Sequence, residues 1–305
     1  MIDHDNAYGG LVDADEHGRW AFGTDFEDPL AGVDTTVPAD ADPVALARYC
    51  LMLGDDALIA AQRFAQWAAR APELEQEVAL LNIGLDLLGQ ARLLLARAAA
   101  ADPGCVPALP ASSPVPAEDA LAFFRAEREF RCVRLVEIGN GDFARTIVRS
   151  LIFSTWRLAV LERLRDSRDP VLAAVADKGA KELTYHRDHA ARWTVTLGCG
   201  TTESRRRMRE ALEFVWPYVS ELFVPAAVER TLAAAGIAVD PSAVRTEFDD
   251  ILRQVLHAAE LDAPEGAAAG TLAGRAGRDG VHTEALGPLL AEMQCVARAH
   301  PDGRW

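Results

Sequence analysis

Residues 72–101 read PELEQEVALLNIGLDLLGQARLLLARAAAA, and this stretch decides the fold. It has the pattern of one long helix. Pro72 fits a first helical turn, where its missing N–H costs nothing. Glu73, Glu75 and Glu77 crowd the end at which the helix dipole favours negative charge, and Arg92 and Arg97 lie toward the other end. Leu74, Val78, Leu81, Leu85, Leu88 and Leu95 fall at helical spacing and form one apolar stripe; Leu80, Leu87 and Leu94 form a second. Two stripes predict burial on more than one side, as inside a bundle. A helix of this length spans about 45 Å. Asn82, Asp86 and Gln90 sit beside the stripe at i, i+4 and i+8. Polar groups there require partners or a ligand.

Working outward, Asp42 reads as an N-cap with Pro43 at the first helical position. That helix is expected to run to about Arg70, turning at Ala71-Pro72 into the long helix, so the two are antiparallel neighbours. The proline-rich stretch from Asp102 to Pro116 is a loop. A helix is expected from Glu118 to Val136, broken by Gly139-Asn140-Gly141. A third long helix spans Asp142 to Asp166, and Asp169-Pro170 opens a fourth, from Val171 to Leu197. Shorter helices are expected at Thr202–Phe223 (kinked at Pro217), Pro225–Ala235, Asp240–Leu261 and Thr283–Ala299, with an exposed loop from Ala263 to Gly280. No segment alternates with period 2, and no solenoid repeat occurs. Two helical hairpins joined by one long crossover predict an all-α, ferritin-like four-helix bundle with additional C-terminal helices.

Composition narrows the class. Half of the 305 residues are hydrophobic and a quarter are charged, as in globular proteins. The net charge is −15, of which residues 1–41 contribute −9 from ten acids and Arg19. Those residues read as an acidic, mostly irregular arm, with Trp20 and Phe22 available to pin it; residues 42–305 form the helical domain. No basic stripe points to nucleic acid. No uninterrupted apolar run reaches the roughly 18 residues of a membrane span, and no signal peptide is recognisable. Cys50, Cys105, Cys132, Cys199 and Cys295 make no C-x-x-C pair, so a reducing cytoplasm is expected.

Several stretches carry a family resemblance: LGDDALIAAQRFAQWAARAPELE, ALLNIGLDLLGQAR, NGDFARTI, SRDPVLAAVADKGAKELTYH and GVHTEALGPLLAEMQ. From Asp42 to Trp305 the chain resembles the C subunits of the bacterial phenylacetyl-CoA epoxidase, a multicomponent ring 1,2-epoxidase of phenylacetate degradation. The resemblance implies a ferritin-like structural subunit with no cofactor of its own. It also implies a catalytic sister subunit of the same fold, holding the di-iron centre and the acyl-CoA, and further small and reductase subunits.

The residues can be tested against the di-iron motif. Such a bundle requires an inward Glu from each of two helices and Glu-x-x-His from each of the other two. The long helix offers Leu87-Leu88-Gly89-Gln90 where the resemblance places Glu-Leu-Gly-His in the sister, so Leu87 and Gln90 replace carboxylate and imidazole. Between Asp142 and Glu162 there is no acid, and the middle of that helix offers Ser154 and Thr155. The fourth helix has Glu182 and His186 at i, i+4, one residue off the motif. His186-x-x-His189 has chelating spacing but lacks facing partners, so a structural polar network with Lys181 and Arg187 nearby is the preferred reading.

Asp55 and Asp56 admit two placements: one inward, pairing a buried base, or both exposed. Asp55, Asp86, Leu87, Gln90, Ser154, Glu182 and His186 together make a degenerate pseudo-site, with no catalytic and no metal-binding residue assigned. Asp86 and Asn82 are expected to hydrogen-bond the first helix, and Gly84 and Gly89 to permit close helix approach. Arg205-Arg206-Arg207 suits a phosphate of coenzyme A or a solvated face. Trp67, Phe153, Trp156 and Trp193 suit core or interface. The competing function is a metal-binding ferritin-like oxidoreductase with its own site around Glu182 and His186.

Overall fold

The computed structural model describes residues 30–303. Its frame is four long helices, α1 (Pro43–Ala65), α2 (Leu74–Ala101), α5 (Phe143–Leu164) and α6 (Pro170–Gly198). Between the hairpins lie α3 (Ala117–Phe123) and α4 (Arg134–Glu137); α7 (Thr202–Val215), α8 (Ala227–Ala234), α9 (Arg245–Ala258) and α10 (Leu286–Ala299) follow. Helices α1 and α2 pack as one hairpin, α5 and α6 as the other, and α2 lies against α6. Among the described residues there is no sheet, only an isolated bridge between Leu272 and Arg275. This is the all-α ferritin-like bundle with extra C-terminal helices that the sequence predicts.

Side-chain caps set several helix starts. Asp42 accepts from the amides of Val44 and Ala45, Asp142 from Arg145, and Asp169 from Leu172. Each satisfies N–H groups that a helix start leaves without partners.

The first hairpin turns differently from expectation. Helix α1 ends at Ala65 and α2 starts at Leu74, so Pro72 lies before the helix. In the connection, Ala69 takes a left-handed φ of 58°. Trp67 folds inward, its indole N–H donating to Thr146 Oγ1 on α5 at 3.0 Å.

The single helix expected over 118–136 is interrupted. The amides of Arg131 and Val133 donate to Asp55 and Asp56 of α1, at 2.7 and 2.8 Å, and so are withdrawn from any helical ladder. Helix α7 likewise stops at Val215, and Pro217 lies in a 3-10 turn. Gly277 and Arg278, inside the loop expected to be exposed, are buried.

Leu30, Val33 and Val37 pack on the core, and Arg97 donates to the carbonyls of Thr35 and Thr36. Trp20 and Phe22 lie outside the described residues. Of the four aromatic candidates, Trp67, Phe153 and Trp156 are buried and Trp193 is half-buried against Phe143.

Helix α2 is long and apolar enough to cross a membrane by composition, although no uninterrupted run signals it. In the fold it is a bundle helix, with 44% of its apolar window buried. Leu80, Leu87 and Leu94 face the core. Of the other stripe, Leu95 is buried, whereas Leu74, Val78, Leu85 and Leu88 are exposed. The two-sided burial expected from the paired stripes is therefore not met among the described residues.

Candidate functional site

The polar residues of α2 change environment along the helix: Asn82 is exposed, Asp86 half-buried and Gln90 buried. Both Asp86 and Gln90 meet α6, not α1 as expected for Asp86. Gln90 Nε2 donates to Glu182 Oε2 at 2.8 Å. Four residues away on each helix, Asp86 Oδ2 lies 2.9 Å from His186 Nε2. A third contact joins His189 Nε2 to Gln76 Oε1 at 3.0 Å. The histidines at i, i+3 therefore address separate partners on α2. Burial lowers the pKa of His189, with the charge of His186 acting in the same direction.

The residue that organises this centre lies outside the di-iron motif altogether. Arg157 of α5 is fully buried. Its Nε donates to Gln90 Oε1 at 3.1 Å and its Nη1 to the Leu53 carbonyl of α1 at 3.1 Å, while Nη2 has no partner. One guanidinium thus links all four long helices, directly to α1 and α2 and through Gln90 to α6. Burial pulls its pKa down to about 10, so it remains cationic at neutral pH.

Glu182 is the carboxylate hydrogen-bonded to Gln90. Burial raises its pKa, against the hydrogen bond from Gln90. Its basic partner is Lys178, at 3.7 Å, and not the expected Lys181, which pairs with Asp177. Leu87 is buried, and Ser154 returns its hydroxyl to the Ser150 carbonyl at 2.6 Å. Gly179 of α6 makes room for the network: a Cβ there would stand 2.6 Å from Leu161 and 3.2 Å from Gln90. A Cβ on Gly84 would make ordinary contact with α1, at 3.4 Å from Phe64, and one on Gly89 would face open space, so neither glycine is required for close helix approach.

This donor set does not fit a carboxylate-bridged iron pair. The centre presents an amide, a leucine, a serine turned to its own backbone and a guanidinium; its two carboxylates, Glu182 and Asp86, and the His186 imidazole are taken up in pairs and, among the described residues, do not gather as a ligand group. A fixed positive charge hydrogen-bonded to Gln90 opposes a dication there.

Asp55 and Asp56 are both fully buried and both paired. Asp55 holds Arg125 bidentately. Asp56 holds Arg278, with contacts of 2.9 and 2.8 Å. Burial raises the Asp56 pKa against the pull of Arg278. Asp55 thus serves the crossover and takes no part in the centre around Gln90.

A second cluster lies beside α4: Cys132, Glu137 and His282 bring one possible ligand atom each within 4.8 Å of the others. Both ring nitrogens of His282 face acceptors, Nδ1 toward Glu137 Oε2 at 2.8 Å and Nε2 toward the Phe130 carbonyl at 3.1 Å. That pattern describes an imidazolium held by a carboxylate. Arg205, Arg206 and Arg207 pair with Glu260, Glu203, Glu210 and Asp142 on the surface, as a solvated face does.

A family model described as phenylacetic acid catabolic protein matches residues 31–305. The chain belongs to this family. Within it, the C subunit of the 1,2-phenylacetyl-CoA epoxidase of Escherichia coli (strain K12) is 42% identical over 261 residues, covering 85% of this chain and 99% of the relative.

Proposed function

We propose that this chain is a non-catalytic structural subunit of a multicomponent phenylacetyl-CoA 1,2-epoxidase, a monooxygenase of aerobic phenylacetate catabolism in the cytoplasm. It binds and supports a ferritin-like sister chain that carries the di-iron centre and the acyl-CoA. It holds no cofactor itself, and the pseudo-site of Asp55, Asp86, Leu87, Gln90, Ser154, Glu182 and His186 is structural. The reading rests on one observation: the guanidinium of Arg157, hydrogen-bonded to Gln90, occupies the middle of the bundle.

Metal analysis of the purified chain, expressed with added iron, provides the test. The expected result is substoichiometric iron and no epoxidation by the chain alone, with turnover when the sister and reductase subunits are added. Two irons per chain would restore the alternative, an oxidoreductase using Glu182 and His186.

A further inference from the structure

The cluster beside α4 brings together three side chains of metal-ligand type, and hydrogen bonding accounts for only two of them. His282 Nδ1 and Glu137 Oε2 meet at 2.8 Å between fully buried side chains. Cys132, also fully buried, holds its Sγ 3.8 Å from Glu137 Oε2 and 4.0 Å from His282 Nδ1. At those distances a thiol is a weak donor that adds little to the pair.

Each ligand atom is aimed from behind. A carbonyl only accepts, so His282 Nε2 donates to that of Phe130, at 3.1 Å, and Nδ1 is turned toward the other two groups. Glu137 Oε1 accepts from the Thr283 amide, which leaves Oε2 for the cluster. The main chain is pinned as well. The amides on either side of Cys132, those of Arg131 and Val133, donate to Asp55 and Asp56 of α1. The Glu137 carbonyl accepts from Arg63 Nε at 3.1 Å. Ligands held in place by their own supporting contacts are what a metal site requires.

The spacing suits a tetrahedral ion. With bonds of about 2.0–2.3 Å, nitrogen and oxygen ligands stand about 3.3 Å apart, and sulfur stands about 3.6 Å from either. The three separations reach those values by changes of about 0.5 Å or less. Charge balances too. Thiol, imidazolium and carboxylate sum to zero. A divalent ion that displaces the thiol proton and the Nδ1 proton to solvent leaves thiolate, neutral imidazole and carboxylate around it, again summing to zero. Two protons leave for one ion, and no net charge is added to the interior. A thiolate and an imidazole beside one carboxylate select zinc over magnesium or calcium, which take oxygen ligands. Three protein ligands leave a fourth position for a water, and His282 is only half-buried as a residue.

Going beyond the function proposed above, and independently of it, we propose that Cys132, Glu137 and His282 bind a zinc ion that clips the loop before α10 onto the crossover between the hairpins. The ion is a fastener and not a reaction cofactor. It closes the 145-residue separation between Glu137 and His282. In the chain without metal, the imidazolium and carboxylate pair in its place.

The test uses the full chain, stripped with a chelator and titrated with zinc, or with cobalt(II) as a coloured probe. Wild type should retain about one ion per chain after desalting. It should show a thiolate-to-cobalt charge-transfer band in the near ultraviolet and melt at a higher temperature with zinc than without. X-ray absorption at the zinc edge should find a sulfur neighbour together with nitrogen and oxygen. Cys132→Ala, with the other four cysteines left in place, and His282→Gln should keep the helical circular dichroism of the metal-free chain. Each should lose the band and weaken zinc binding about 100-fold or more.

No charge-transfer band in the wild-type chain, or a zinc shell of nitrogen and oxygen alone, would overturn the assignment whether or not the variants fold. So would a folded variant that binds zinc within about threefold of wild type. Zinc held here leaves the iron content expected above unchanged.

Discussion

Around α1, carboxylates and guanidiniums meet in matched pairs: Asp55 with Arg125, Asp56 with Arg278. In the middle of the bundle, Arg157 donates hydrogen bonds to an amide and a backbone carbonyl and to no carboxylate, with its Nη2 left without a hydrogen-bond partner. Both regions bury charge, but the matched pairs fasten irregular segments onto α1, whereas the centre joins helices that already pack by apolar contact. Removing one partner of a buried pair strands a charge; a loosely matched site has less to lose. The polar residues where this fold can hold metal are therefore not those on which its stability chiefly depends.

Asp56→Asn should have the largest effect. It leaves Arg278 uncompensated among buried groups, and the expected loss is about 3–5 kcal/mol in denaturant unfolding. The double variant with Arg278→Met should recover part of that loss. If Asp56→Asn costs no more than a change at Glu182, the two regions do not differ as described.

The His282–Glu137 pair comes next and adds a pH signature. Burial by itself lowers the His282 pKa, but the hydrogen bond and charge of Glu137, the Phe130 carbonyl and the charge of Asp55 outweigh it and raise the folded value above 6.5. The pair's stabilisation is therefore full below the unfolded value of about 6.5 and is lost as pH rises through the higher folded one. His282→Gln should cost about 1.5–3 kcal/mol at pH 6 and little at alkaline pH. Melting curves across pH check this; an unchanged slope in the variant would show that the pair is not the titrating element.

The smallest effect belongs to Glu182→Gln. The new amide oxygen still accepts from Gln90, and a carboxyl whose pKa burial has raised is easily replaced by a neutral group. Below about 1 kcal/mol is expected, with assembly and epoxidation by the complex unchanged. Turnover lost from an intact complex would place chemistry in this chain.

Much of the frame is legible in the sequence because local chemistry writes it. Asp42-Pro43 and Asp169-Pro170 mark helix starts through capping and fixed φ, and the glycines after Ile138 and Leu197 mark ends. The irregular stretch before Arg134 is not legible, because Asp55 and Asp56, far away in sequence, take the amides of Arg131 and Val133. The direction in which α2 faces is also hidden. Its two leucine stripes have the same period, and only the position of α1 and α6 makes one of them core. At the centre, the missing di-iron motif is readable from Leu87, Gln90 and the absence of any acid in α5 before Glu162. Arg157 is not, since an arginine in an apolar helix ordinarily reads as a base reaching out to solvent. The one available signal is its place within the apolar run from Thr146 to Leu161.

The matched pairs around α1 also impose an order of events on synthesis. Asp56 and Arg278 are 222 residues apart. At about 5–20 residues per second, a ribosome delivers Arg278 roughly 11–44 s after Asp56. Through that interval the first hairpin exists without the cation that neutralises its buried acid, and Asp56 must stay hydrated or take up a proton. As long as Asp56 stays ionised, the α1–α2 hairpin keeps water around that carboxylate while the chain is still growing. Closure waits for the C-terminal loop, so a nascent chain halted before residue 278 should remain open to protease along α1.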